Sequence, residues 1–150
     1  MFAYQRADSS LTLAEGLAEY FAANAEHFNT RHMTEPAREF FRCHDALHVV
    51  LGCDISLVDE MVVKISSLFG TTAGFRVMRG YALPESKEIY TELSLMVIAV
   101  TALRAVVIVP QTLWRCLRLT RRWPWDEFDA YLDRPLSEIR REFGVRVRAH

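Results

Sequence analysis

Residues 36–52 read PAREFFRCHDALHVVLG, and this stretch decides the fold. Thr34 followed by Pro36 marks a helix start, since proline is tolerated in the first turn, where its missing N–H has no intrahelical partner anyway. Ala37, Phe40, Phe41, Leu47 and Leu51 then recur at three- and four-residue steps, which places them on one apolar face, and Gly52 is positioned to end the helix. His44 and His48 lie on that same face.

Beyond the turn at 52–55, Ser56 with Asp59 has capping-box spacing. Leu57, Met61, Ile65, Leu68 and Phe69 then continue a second helix to Gly70, so residues 35–69 predict a helical hairpin. On the N-terminal side, Thr12 and Glu15 repeat the capping-box spacing, and Leu13, Leu17, Tyr20, Phe21 and Phe28 predict a helix over 13–28 with an aromatic inner face. Gly70, Gly74, Gly80 and Pro84 break residues 70–86 into short turns, where a lid or channel mouth is expected.

Residues 86–109 predict a long helix that Pro110 closes, and a further helical piece follows over 111–122. The apolar run from Leu93 to Val109 is about as long as a short membrane span, but Arg104 interrupts it, and the expectation is a buried helix. Asp133-Arg134-Pro135-Leu136 begins a last helix with Leu136, Ile139 and Phe143 inward and Gly144 at its end. No stretch alternates with period two and no repeat is visible. The expected fold is all-α, one domain over 1–150, an irregular helical bundle with an apolar channel.

Hydrophobic residues make up 51% of the chain, with only six glycines and five prolines, which excludes a disordered or collagen-like protein. Lys plus Arg number 18 against 19 Asp plus Glu, so no nucleic-acid partner is expected. Cys43, Cys53 and Cys116 are odd in number and lack C-x-x-C spacing, which argues against a disulfide framework or a thiolate zinc cluster. The first ten residues do not read as a secretory or transit signal, and a cytoplasmic protein is expected. Arg115, Arg118, Arg121 and Arg122, between Trp114 and Trp123, suit either an anionic membrane surface or a solvated face.

On a helix, residues four apart project within about 40° of each other, so His44 and His48 can hold one ion. A straight helix would carry Glu60 roughly 24 Å beyond His44, at about 1.5 Å per residue. The break at Gly52 removes that obstacle by folding the second helix back. Asp45 stands about 100° around from His44, as a ligand or as a group orienting an imidazole through its free ring N–H. Nitrogen and carboxylate ligands suit Zn, Fe, Mn or Co without choosing among them. The plain alternative is a pair of core histidines beside an i,i+4 Glu60–Lys64 salt bridge. A zinc protease would carry Glu where Asp45 stands. Cys43 and Cys53 flank the motif and read as small buried hydrophobes.

His44-Asp45-x-x-His48, eleven residues, then Glu60, resembles the metal motif of the COQ-four family of coenzyme Q (ubiquinone) biosynthesis proteins. Leu51-Gly52, Lys64 and the run from Arg134 to Val145 are also similar to that family. The resemblance covers residues 36–70 and 129–145, is weaker over the first helix and is poor over 85–128. It implies an all-helical, often dimeric protein with a hydrophobic channel for a polyprenyl tail and a metal near the head group.

The implied activity is oxidative C1 decarboxylation of a prenylated aromatic precursor, the ring carboxyl being replaced by hydroxyl. Catalytic and metal-ligating roles fall on His44, Asp45, His48 and Glu60, with Lys64 a candidate for the head-group charge. The implied partners are a prenylated quinone precursor or polyprenyl lipid, other quinone-biosynthesis proteins, a second copy of the chain and, peripherally, the inner face of a membrane. The alternatives are a non-catalytic lipid carrier or scaffold, in which the metal only ties two helices, and a structural helical domain with no ligand.

Overall fold

The computed structural model describes residues 1–28, 33–88 and 95–147, and the fold is all-α. Helix α1 spans Leu13–Ala23, α2 Ala25–Phe28, α3 Glu35–Leu51, α4 Leu57–Phe69, α5 Met78–Tyr81, α6 Pro84–Glu88, α7 Leu95–Leu117 and α8 Leu136–Phe143. The chain pairs in β fashion only at two isolated bridges among the described residues, Thr12 with Pro135 and Thr71 with Trp123.

Thr12 and Glu15 form the reciprocal capping box that their spacing predicts. The helix expected over 13–28 is two helices, because the Asn24 side chain donates to the Tyr20 carbonyl (2.8 Å) and competes with the backbone ladder. Leu13 and Tyr20 are buried, Phe21 is 40% exposed, and the Phe28 side chain lies outside the described set.

The hairpin of α3 and α4 forms at the expected boundaries. Gly52 adopts φ 70°, the left-handed conformation that glycine adopts without a Cβ penalty, and the Cys53 amide donates to the His48 carbonyl (2.9 Å). Ser56 accepts from the Asp59 amide, but the Asp59 carboxylate turns to the Asp54 amide (3.0 Å) instead of closing a box. The buried face of α4 is Asp59, Val62, Val63, Ser66 and Ser67, not the leucine and isoleucine stripe read from periodicity. The reason is that α4 packs on both α3 and α7, and its small serines allow close approach.

Helix α8 locks the two ends of the chain onto this hairpin. Leu136, Ile139 and Phe143 are buried as expected, and Gly144 ends the helix at φ 71°. Between them Arg140 is 3% exposed, and its guanidinium donates to the carbonyls of Val50 (2.8 Å), Val49 (2.8 Å), Tyr4 (2.6 Å) and Arg6 (2.5 Å). Two of those acceptors, Val49 and Val50, lie in the last turn of α3, where the negative end of the helix dipole favours a cation; the Val49 carbonyl also accepts from the Gly52 amide (3.1 Å).

Helix α7 corrects two expectations. It runs as one helix through Pro110, where two pieces were read, and residues 89–94 before it, with Leu93, lie outside the described set. Nor is it buried: one side, with Ile108 and Thr112, packs inward, but Leu103 is 74%, Val106 71% and Leu117 81% exposed. Apolarity says that a helix needs an apolar neighbour, not which one.

Candidate metal centre

His44 and His48, in successive turns of α3, and Glu60, in the first turn of α4, converge as the hairpin geometry permits. The His48 Nε2 lies 3.3 Å from Glu60 Oε1 and the His44 Nε2 lies 3.7 Å from Glu60 Oε2. One donor atom from each of the three residues falls within 4.8 Å of the others. Ligand atoms held at about 2.0–2.2 Å from one ion sit roughly 3–4 Å apart, so the three can hold a metal with little rearrangement.

The state of the imidazoles argues the same way. His44 is 4% and His48 0% exposed, and the Glu60 carboxylate, 3.3 Å from His48 Nε2 and 3.7 Å from His44 Nε2, is what faces their inner ring nitrogens; neither outer nitrogen, Nδ1, makes a hydrogen bond. Buried polar groups are nearly always hydrogen-bonded, and leaving one unpaired costs about 1–3 kcal/mol. A metal ion would satisfy both inner nitrogens at once. Two imidazoles and one carboxylate fit Zn, Fe, Mn or Co, and nothing in the geometry selects one.

Asp45 is buried but stands outside the group of three. Its Oδ1 is 3.6 Å from His44 Nδ1, the ring nitrogen opposite the one that faces Glu60. At that distance no hydrogen bond is made, but Asp45 stands on the side from which a carboxylate orients a ligating histidine through its second nitrogen.

Aromatic rings wall the cluster. Tyr20 stacks on His48 with ring centroids 5.4 Å apart, and Phe40 and Tyr81 approach His44 at 5.7 and 5.9 Å. Tyr81 comes from the segment read as a lid. That segment folds as a 3-10 turn, α5 and α6, pinned where the Thr72 amide donates to the Trp123 carbonyl (2.9 Å). Gly80 lies so close to the Phe40 ring that an added Cβ would stand 1.9 Å from it. The Lys64 ammonium sits 4.6 Å over the Tyr81 ring, in a cation–π contact. Tyr20 was legible only as a core aromatic, and Tyr81 carried no signal, because its helix is one turn long.

Burial disfavours the His48 imidazolium, but the carboxylates of Glu60, Asp45 and Asp59 outweigh it and hold the pKa above the ordinary value. Burial, together with Asp45 and Glu60, pushes the Tyr20 phenol up, which keeps it neutral. Cys43 and Cys53 are buried thiols outside any disulfide, as expected, and burial pushes Cys43 up to about 12.

An apolar cavity of about 280 Å³ opens between the hairpin, the C-terminal half of α7 and residues 144–147. Leu47, Val50, Val62 and Trp114 are among its walls, Arg115 and Arg118 also line it, and none of His44, Asp45, His48 or Glu60 does. This cavity and the candidate metal cluster therefore share no lining residue. Compared with known proteins, the chain matches no family model, no curated protein and no solved structure.

Proposed function

We propose that this chain is a metal-dependent protein of isoprenoid-quinone biosynthesis, similar in role to the COQ-four family, acting on a prenylated aromatic acid. The observation that carries the reading is the convergence of two buried imidazoles and one carboxylate, with one donor atom of each within 4.8 Å of the others. Three protein ligands leave coordination positions open, which is the arrangement of catalytic sites; structural zinc sites are closed by four. A bound ion supplies a Lewis acid for a carboxylate or phenolate and, where redox-active, electrons for dioxygen.

The chain's own residues supply the rest. His44, His48 and Glu60 would hold the ion, Asp45 would orient His44, and Tyr20, Phe40 and Tyr81 would exclude water so that charge interactions inside are strengthened. Lys64, on the same helix as Glu60, is the residue that would meet an anionic head group. The reading predicts that protein loaded with Fe or Mn releases carbon dioxide from a prenylated 4-hydroxybenzoate in the presence of oxygen, and that the His48→Ala variant does not. Metal-loaded protein that binds this acid yet never releases carbon dioxide would overturn the enzymatic role.

A second reading, a lipid carrier or scaffold in which the metal ties α3 to α4, is favoured by two observations. Glu60, at 13% side-chain exposure, is the most open of the three ligands, and the apolar cavity contains none of them. Here the carbon dioxide assay is silent while prenyl-lipid binding persists.

The metal reading has a pH signature. Because the folded pKa of His48 is raised, its protonated form stabilises the metal-free protein below about pH 6.5, the unfolded value, and that contribution is lost as pH rises through the folded value. Ligation needs the neutral imidazole, so metal affinity should climb as pH rises from 6.5 and level off only above the raised pKa. Competition titrations with a chromophoric chelator at several pH values measure this, and a flat profile would contradict it.

A further inference from the structure

Helix α7 presents to solvent a face that a soluble helix normally buries. Val100, Leu103, Val106, Val107, Trp114 and Leu117 are each 46% exposed or more. Steps of three, four and seven residues keep them on one side, opposite the inward-packed Ile108 and Thr112. Over Val100–Leu117 the mean hydropathy is 1.2 and only 11% of the window is buried. A contiguous apolar surface of this kind marks an interaction site.

Charge identifies the occupant. Residues 95–122 contain five arginines (104, 115, 118, 121, 122) and no Asp or Glu, although the whole chain is nearly balanced at 18 basic and 19 acidic residues. Arg121 is paired with Glu142, whereas Arg104, Arg115, Arg118 and Arg122 form no ion pair among the described residues. The Arg118 guanidinium lies 4.2 Å from the centre of the Trp114 ring, which joins the basic rim to the apolar face. A second copy docked by two-fold symmetry on this face would set arginine against arginine with no carboxylate from α7 between them. An anionic headgroup layer over an apolar interior complements both parts.

We propose that the outward face of α7 docks the protein onto an anionic phospholipid bilayer, with the helix lying in the plane of the interface. A spanning arrangement conflicts with the exposed Arg104 at mid-helix and with the opposite side of α7 being packed on α4. The apolar side chains enter the acyl boundary, and Arg104, Arg115 and Arg118 reach lipid phosphates along its edge. The cavity lined by Trp114, Arg115 and Arg118 sits at that surface. This docking does not depend on the metal reading.

The test is co-sedimentation of the full chain with phosphatidylcholine vesicles with and without phosphatidylserine, together with tryptophan emission. Trp123 and Trp125 are buried at 2% and 5% exposure and Trp114 is 56% exposed, so a blue shift on adding vesicles reports on α7. Binding should require phosphatidylserine and weaken with salt. A Leu103→Glu, Val107→Glu variant should lose both binding and the shift. An Arg115→Gln, Arg118→Gln variant should partition on the order of thirtyfold less, about fivefold for each arginine. Circular dichroism and thermal midpoint of each variant establish that it is folded.

Three results would each overturn the proposal: no sedimentation with anionic vesicles, binding that these variants leave unchanged, or binding that only detergent and not alkaline carbonate releases, as for a spanning helix. So would a dimer in solution that Leu103→Glu dissociates while vesicles are ignored, because the face would then belong to a second copy.

Discussion

Replacing Arg140 with methionine is expected to lower the unfolding free energy by about 3 kcal/mol or more, and the thermal midpoint by roughly 6–12 °C for a chain of this size. Methionine keeps most of the volume, so the loss isolates the donors. It leaves the carbonyls of Val50 and Tyr4 without the guanidinium, and takes a second donor from those of Val49 and Arg6, which keep the Gly52 and Ser9 amides. Burial pushes the Arg140 pKa down to about 10, still well above neutrality, so the side chain carries its charge at pH 7.

Those four bonds join α8 to the end of α3 and to the N-terminal turn, across more than 90 residues of chain in each case but one. Arg140→Lys should recover little, because one ammonium cannot reach acceptors spread around a planar fork. Urea titration with an unchanged slope and a lowered midpoint is the expected reading. An unchanged midpoint would mean that the carbonyls find water and that α8 is not the clasp described above.

The second large effect is on the metal centre. His48→Ala removes a side chain that is 0% exposed, stacked on Tyr20 and 3.3 Å from Glu60. With one of three ligands gone, an ion held by His44 and Glu60 alone should dissociate at ordinary concentrations. A ligand that binds only the folded state stabilises it by about 4 kcal/mol at a thousand times its dissociation constant. Adding metal to stripped wild-type protein should therefore raise the thermal midpoint by roughly 8–16 °C. The His48→Ala protein should start lower, having gained a cavity and a buried carboxylate with less to face, and should not respond to metal. Asp45→Asn should retain the response with affinity about 10–100-fold weaker.

The hairpin was legible because each of its decisions is local. Pro36, Gly52, Ser56 and Gly70 punctuate the chain, and the histidines ride on an apolar face whose period is plain. Those boundaries permit the approach of Glu60 to His48 without reference to any other element. The outer parts of the site depend on tertiary contacts that periodicity does not encode. Tyr81 reaches His44 from a short helix held by the Phe40 ring, the Ser67 hydroxyl (3.1 Å from the Tyr81 hydroxyl) and the Lys64 ammonium. The role of Asp45 turned on which ring nitrogen it faces, a matter of side-chain orientation and not of spacing.

Helix α7 departs from the sequence expectation for a related reason. Proline at position 110 removes one backbone donor, but a long helix packed along α4 continues through it. Its apolar composition suggested the core because a core helix and an interfacial helix share the same residues. Only the position of α4, which covers one side and leaves the other bare, separates them.

Elemental analysis of the purified protein by plasma mass spectrometry decides whether His44, His48 and Glu60 form a metal site. Wild type should carry close to one Zn, Fe, Mn or Co per chain, or take one up tightly when it is offered, and a His44→Ala, His48→Ala variant should carry none. Wild-type protein that neither holds nor tightly binds any of these metals, or a double variant that binds them equally well, would contradict the account.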